Sequence, residues 1–192
     1  TVLRSPVAQS LLRGVPVMLV PSGKCASGAI PDGTKTGNYL TNIMALGQAR
    51  RAGHYECVLV EGGGHLTEGS TTNIFIVRKG RVETPSLDSG ILAGITRSFV
   101  IDECRRLGLV VREARIMPGD LLAADEAFLT STIRDVLPVV RVDDRALGDG
   151  TPGPLTKRIR GVFLDLVRDR IERDAGRLGA RGGDRWKRAG QA

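Results

Sequence analysis

The sequence predicts a mixed α+β (mixed α/β) domain, and three observations lead there. Segments of strand period and helix period follow one another without regular alternation. Several of the strands connect through hairpins or short helices rather than long crossovers. No internal repeat, no G-x-G-x-x-G and no G-x-x-x-x-G-K-[ST] occurs, so neither a dinucleotide fold nor a P-loop is indicated. The 192 residues, 41% hydrophobic and 26% charged, suffice for one domain with its own core.

Val15–Val20 alternates as a strand, and Pro16, which donates no ladder hydrogen bond, places it at a sheet edge. Pro21–Thr36 is rich in Gly, Ser and Pro and reads as a loop. Gly37–Arg51 has helical spacing, with Leu40, Ile43, Met44, Leu46 and Ala49 near one side and Gly53 suited to its C-terminal cap. Cys57–Val60 is a strand, followed by a glycine turn at Gly62-Gly63-Gly64. Asn73–Arg78 and Arg81–Thr84 form a hairpin through Lys79-Gly80. Thr96–Leu107 is an amphipathic helix stopped by Gly108, Val110–Ile116 a strand, and Pro118–Ala123 a short helix. Ala127–Thr130 and Pro138–Val142 are strands, with a turn near Asp143-Asp144. Leu155–Ala175 closes the domain as a long helix whose apolar face carries Leu155, Ile159, Val162, Phe163, Leu166 and Val167.

Residues 1–175 are therefore expected to form the domain, and residues 176–192 a disordered tail. That tail holds five basic residues and one acidic, a net +4 of the chain's formal +7. With so much charge in the tail and only 4% aromatics, no nucleic-acid surface is expected. No apolar run reaches the ~18 residues of a membrane span. The opening Thr1–Pro6 has neither an initiator Met nor a signal-peptide pattern, and a missing N-terminal portion is expected. Cys25, Cys57 and Cys104 lie far apart with no CxxC pair, the pattern of reduced thiols in a cytoplasmic protein, with no metal site.

Five lysines stand against 23 arginines, and Lys35 is set apart from the other four. It ends a small-residue loop, Gly33-Thr34-Lys35-Thr36-Gly37, just before a helix whose N-terminus favours a neutral, nucleophilic amine. Glu68 sits among small hydroxyl residues in Thr67-Glu68-Gly69-Ser70-Thr71-Thr72, where it could pair with a protonated ring nitrogen or simply cap the strand at Asn73. Gly94-Ile95-Thr96-Arg97 opens a helix, and its free N–H groups and Thr96 hydroxyl suit either an anion or a plain Thr N-cap. Thr130-Ser131-Thr132 is a second hydroxyl cluster, suited to a phosphate or to ordinary turn chemistry.

These segments together carry a resemblance. Glu68-x-Ser70-x-x-Asn73-Ile74-Phe75, Val82-x-Thr84 and Leu92-x-Gly94-Ile95-x-Arg97 resemble the pattern of the class IV, fold-type IV, pyridoxal phosphate (PLP)-dependent aminotransferases. That family includes branched-chain and D-amino-acid aminotransferases and 4-amino-4-deoxychorismate lyases. Lys35-Thr36-Gly37-Asn38-Tyr39-Leu40-x-Asn42 is similar to the lysine segment of the branched-chain enzymes. Asp125–Thr132 and Gly148–Lys157 resemble later family segments, so that the likeness runs over roughly residues 15 to 168.

The resemblance implies the large C-terminal domain of the D-amino-acid aminotransferase-like fold, with pyridoxal 5′-phosphate as cofactor. Lys35 would hold the cofactor and move a proton at the substrate Cα. Glu68 would pair with the pyridine nitrogen, Tyr39 would orient the ring, and Ile95, Thr96 and Thr132 would bind the phosphate. Tyr39 and Ile133 would line the substrate pocket. A homodimer acting on a small amino acid and a 2-oxo acid is implied, with branched-chain L-amino acids and 2-oxoglutarate the substrates favoured. Two departures stand out. Nothing corresponds to the family's smaller N-terminal domain. The turn after Thr132 reads Ile133-Arg134-Asp135, where branched-chain enzymes usually carry small residues. The lyase, a D-amino-acid transaminase and an inactive fragment are therefore the alternatives.

Overall fold

In the computed structural model, Ser10, residues 12–22 and residues 39–182 are described, with side chains as far as residue 175. Lys35 and most of the expected 21–36 loop lie outside the described residues. Among the described residues one sheet is formed: β1 (Val15–Pro21), β2 (Glu56–Val60), β3 (Leu66–Gly69), β4 (Asn73–Arg78), β5 (Arg81–Pro85), β6 (Val111–Ala114), β7 (Glu126–Ser131), β8 (Asp135–Val142) and β9 (Arg145–Ala146). Its strand order is β3-β2-β1-β8-β7-β4-β5-β6, with β9 paired to β8. The helices are α1 (Leu40–Arg51), α2 (Ile95–Arg106), α3 (Pro118–Leu122) and α4 (Pro154–Gly182). Among the described residues no helix is long and apolar enough to cross a membrane.

Strand alternation sorts the apolar residues onto two faces. One face collects Val15, Val17, Val58, Ile74, Ile76, Ala127, Leu129, Leu137 and Val139, and is closed by Ile116 and Leu121 around α3. The opposite face is covered in two parts. Ala45 and Ala49 of α1 pack on Val20, Cys57 and Leu59. Val100, Ile101 and Cys104 of α2, with Ile159 and Phe163 of α4, pack on Phe75, Val77, Phe128 and Val136. Phe75 and Phe128 face each other across β4 and β7, and their rings stack with centroids 4.9 Å apart, worth about 0.5–1.5 kcal/mol beyond area burial.

Several expectations need correction. β1 is interior, not an edge: it pairs in parallel with both β2 and β8. Pro16 is accommodated because the register with β8 shifts between Val15 and Pro16, and its carbonyl accepts the Tyr55 N–H at 2.9 Å. The buried side of α1 is Ala45 and Ala49, whose small side chains let the helix approach the sheet. Leu40, Ile43 and Met44 are exposed among the described residues. β3 has no expected counterpart, since four residues ending in Gly69 carry little pattern and exist as a strand by pairing with β2. β8 begins at Asp135 rather than Pro138 because its ladder with β7 runs back to Ser131↔Asp135. α4 runs over Pro154–Gly182, seven residues beyond the expected end at Ala175. The Lys79-Gly80 hairpin forms as expected, both residues taking positive φ as a two-residue hairpin turn requires.

Candidate active site

The short β3 delivers Glu68 to one end of the sheet. Its Oε2 accepts the Leu92 backbone N–H at 3.0 Å and the Asn73 side-chain amide at 3.4 Å. Asn73 Nδ2 also donates to the Leu92 carbonyl at 3.0 Å. N–H donors aimed at a carboxylate fix its direction. Gly94 completes the lock, since a Cβ there would collide with Asn73 Oδ1. The residues Glu68, Asn73, Leu92 and Gly94, which recur in one sequence pattern, thus meet in one hydrogen-bonded knot.

Two residues beyond Leu92 the chain enters α2. Gly94 is its N-cap, and no side chain among the described residues caps it. Thr96 is inside the helix, so the plain Thr N-cap reading does not hold. The first-turn N–H groups, from Ile95 onward, and the helix dipole make an electropositive end. Arg97 fixes that end: buried, it donates to the Pro85 carbonyl at 2.9 Å and pairs with Glu113 at 2.8 Å. On the neighbouring strand, Thr84 donates to the Ile74 carbonyl at 2.8 Å.

The β7–β8 turn adjoins the same region, because Asn73 at the start of β4 pairs with Thr130 near the end of β7. Thr132 is exposed on this turn, and Ile133 is 84% exposed. Arg134 is not a free cation: its Nη1 donates to Glu56 Oε2 at 2.9 Å and reaches Thr71 Oγ1 at 3.4 Å. Tyr39, half-buried, is the N-cap of α1, and Asn42 in the first turn donates to the Ser70 carbonyl at 3.0 Å. The structure therefore draws Tyr39, Glu68, the Ile95-Thr96 helix end and the Thr132-Ile133 turn to linked segments.

Sequence reasoning left two contributors unassigned. Glu56 is a fully buried acid heading an otherwise apolar strand, a mismatch visible in the sequence. Glu126 receives the Leu155 and Thr156 N–H groups at 3.0 and 2.7 Å and so caps α4. Gly153 has no side chain to cap with, and any Cβ there would strike the Glu126 carboxyl.

Comparison with known proteins bears on this knot of residues. The family described as Amino-transferase class IV matches residues 3–142, an interval containing the whole Glu68–Thr132 arrangement. The chain belongs to this family. The Escherichia coli K12 branched-chain-amino-acid aminotransferase is 36% identical over 166 residues, covering 86% of this chain and 54% of the relative. The Bacillus licheniformis D-alanine aminotransferase is 37% identical over 133 residues, covering 69% of this chain and 47% of the relative. Among solved class IV structures, the E. coli branched-chain enzyme superposes with a TM-score of 0.79 at 36% identity, covering 83% of this chain and 53% of that one. The Thermobaculum terrenum branched-chain enzyme in its PLP form gives 0.78 at 30% identity, covering 86% and 54%. The expected fold is therefore borne out, and the chain spans about half the length of these class IV relatives.

Proposed function

We propose that this chain supplies the cofactor-binding part of a PLP-dependent transaminase that moves an amino group between a branched-chain L-amino acid and a 2-oxo acid such as 2-oxoglutarate. The observation that carries the reading is the Glu68–Asn73–Leu92 lock, two residues from the uncapped N-terminus of α2. The residues fit the cofactor. A directed carboxylate suits a protonated pyridine nitrogen, and an uncapped helix end suits a phosphate. The buried Thr130 hydroxyl has no partner among the described residues. When bound, pyridoxal 5′-phosphate supplies an electron sink for the bonds to the substrate Cα.

Lys35 holds the cofactor through its amine and carries a proton at the substrate Cα. Glu68 keeps the ring nitrogen protonated, while Tyr39 orients the ring. The N–H groups of Ile95 and Thr96 and the hydroxyl of Thr132 bind the phosphate, and Tyr39 and Ile133 contact the substrate. The name of the E. coli relative supports branched-chain substrates. A D-amino-acid reading is supported by the D-alanine aminotransferase relative together with Thr130-Ser131-Thr132. Homodimer assembly in the cytoplasm belongs to the same proposal and rests on the resemblance.

The protein containing this chain is assayed with 2-oxoglutarate and L-leucine, then with D-alanine, and then with 4-amino-4-deoxychorismate alone. Glutamate from L-leucine is expected. Glutamate from D-alanine only moves the assignment to the D-amino-acid reading, and 4-aminobenzoate without glutamate replaces it with the lyase. A near-visible absorbance band that borohydride bleaches is expected, and Lys35→Ala should abolish it.

A further inference from the structure

We infer that Glu56 and Arg134 form a clamp that holds the Thr132 turn in register with the turn following Glu68, making Arg134 a positioning residue. The inference rests on the preceding assignment of Thr132 and Glu68 to opposite ends of one cofactor. Glu56 is fully buried, and a carboxylate in that position needs a full set of donors. It has them: Oε1 accepts the N–H groups of Cys57 at 3.0 Å and Ser70 at 3.2 Å, and Oε2 accepts Arg134 Nη1 at 2.9 Å. These bonds link β2, the turn after β3 and the β7–β8 turn through a single side chain.

Arg134 is constrained as well. Its backbone N–H donates to Ser131 Oγ at 3.1 Å, closing the turn that carries Thr132 and Ile133. Its guanidinium lies 5.5 Å from the centre of the Tyr55 ring, and only 19% of its side chain is exposed. On the other side of Glu56, Ser70 is two residues from Glu68, and its carbonyl receives Asn42 at the start of α1. The path Thr132 turn–Arg134–Glu56–Ser70–Glu68 therefore sets the spacing between the two groups proposed to hold the phosphate and the ring nitrogen. Arg134, its charge already paired with Glu56, acts through this spacing and not by meeting the substrate.

The test compares Arg134→Ala, Arg134→Lys, Glu56→Gln and the Glu56→Gln/Arg134→Ala double variant with the parent protein. The control is Arg78→Ala, which breaks ion pairs to Glu83 and Asp120 at the other end of β4. PLP affinity, thermal midpoint and amide hydrogen exchange are measured on each. Arg134→Ala and Glu56→Gln should each weaken PLP binding by about tenfold or more, because a small misplacement of a binding group is costly. Exchange should quicken in both 69–73 and 131–135. The double variant should bind PLP no worse than the poorer single variant, and Arg134→Lys should recover part of the loss. Arg78→Ala should lower the midpoint and leave PLP affinity unchanged. Unaltered PLP affinity in Arg134→Ala, or faster exchange in 131–135 alone, would overturn the inference. A parent protein that binds no PLP removes the cofactor assignment. Exchange then decides the clamp: quickening in both turns keeps it, and quickening in one turn overturns it. Arg134→Lys and Glu56→Gln keep the test usable if Arg134→Ala does not fold.

Discussion

Replacing Glu126 with Ala removes the cap of the longest helix. Both carboxylate oxygens are engaged, with the Leu155 N–H at 3.0 Å and the Thr156 N–H at 2.7 Å, and Thr156 is fully buried. Water cannot readily take over the Thr156 bond. A buried N–H left without an acceptor costs about 1–3 kcal/mol, and the lost charge at the helix N-terminus about 0.3–1 kcal/mol. With the Leu155 site partly rehydrated, Glu126→Ala should cost about 3 kcal/mol. For a chain of this length each kcal/mol lowers the midpoint by about 2–4 °C, so the expected fall is about 6–12 °C. Glu126→Gln keeps one acceptor and loses the charge, and should cost about half as much. Urea unfolding followed by far-ultraviolet circular dichroism measures both. A Glu126→Ala protein within about 0.5 kcal/mol of the parent would refute the capping argument, as would a Gln variant no better than Ala. The consequence reaches the site, because Ile159 and Phe163 of α4 share a core with Val100 and Ile101 of α2.

Two further predictions concern other parts of the molecule. Gly94→Ala should push Asn73 out of its bonds to Glu68 and Leu92, costing about 1–3 kcal/mol and PLP affinity with it; parent-like PLP binding in this variant would show that the lock is not needed. Burial, then the neighbouring Glu56 charge, pushes the Cys57 thiol up to about 12, and burial with Glu103 pushes Cys104 up to about 11. Both folded values lie above the ordinary 9.0, so the stability they contribute is present below about pH 9 and lost as pH rises toward 12. Urea midpoints should fall across that window, and the Cys57→Ala/Cys104→Ala double variant should flatten the fall; an equal slope in both proteins would exclude the thiols as its source.

Much of the secondary structure was legible because it depends on neighbours in the chain. The Lys79-Gly80 turn needs positive φ, Gly108 ends α2 with φ near +74°, and the strands alternate over a few residues. Pro16 misled because its missing N–H excludes only a regular ladder position, and the register shift beside it was invisible in sequence. α1 was legible in part: Leu46 and Ala49 of the expected stripe pack on the sheet, whereas Leu40, Ile43 and Met44 are exposed and Ala45 is buried instead. Which stripe is buried depends on how closely the sheet approaches.

The sequence by itself carried the resemblance to the class IV family, through the pattern of Glu68, Asn73, Leu92 and Gly94. The structure gives that pattern its physical content: Asn73 reaches Glu68 five positions back, and both meet Leu92 once the β4–β5 hairpin has brought it alongside. Only the tertiary structure decided what Glu56, Arg134 and Glu126 do. Glu56 and Arg134 stand 78 positions apart, and Glu126 lies 30 from Thr156. No periodicity encodes such a bond. A buried charge takes whatever donor the packed sheet brings within reach, and that donor is known only once the strands have taken their order.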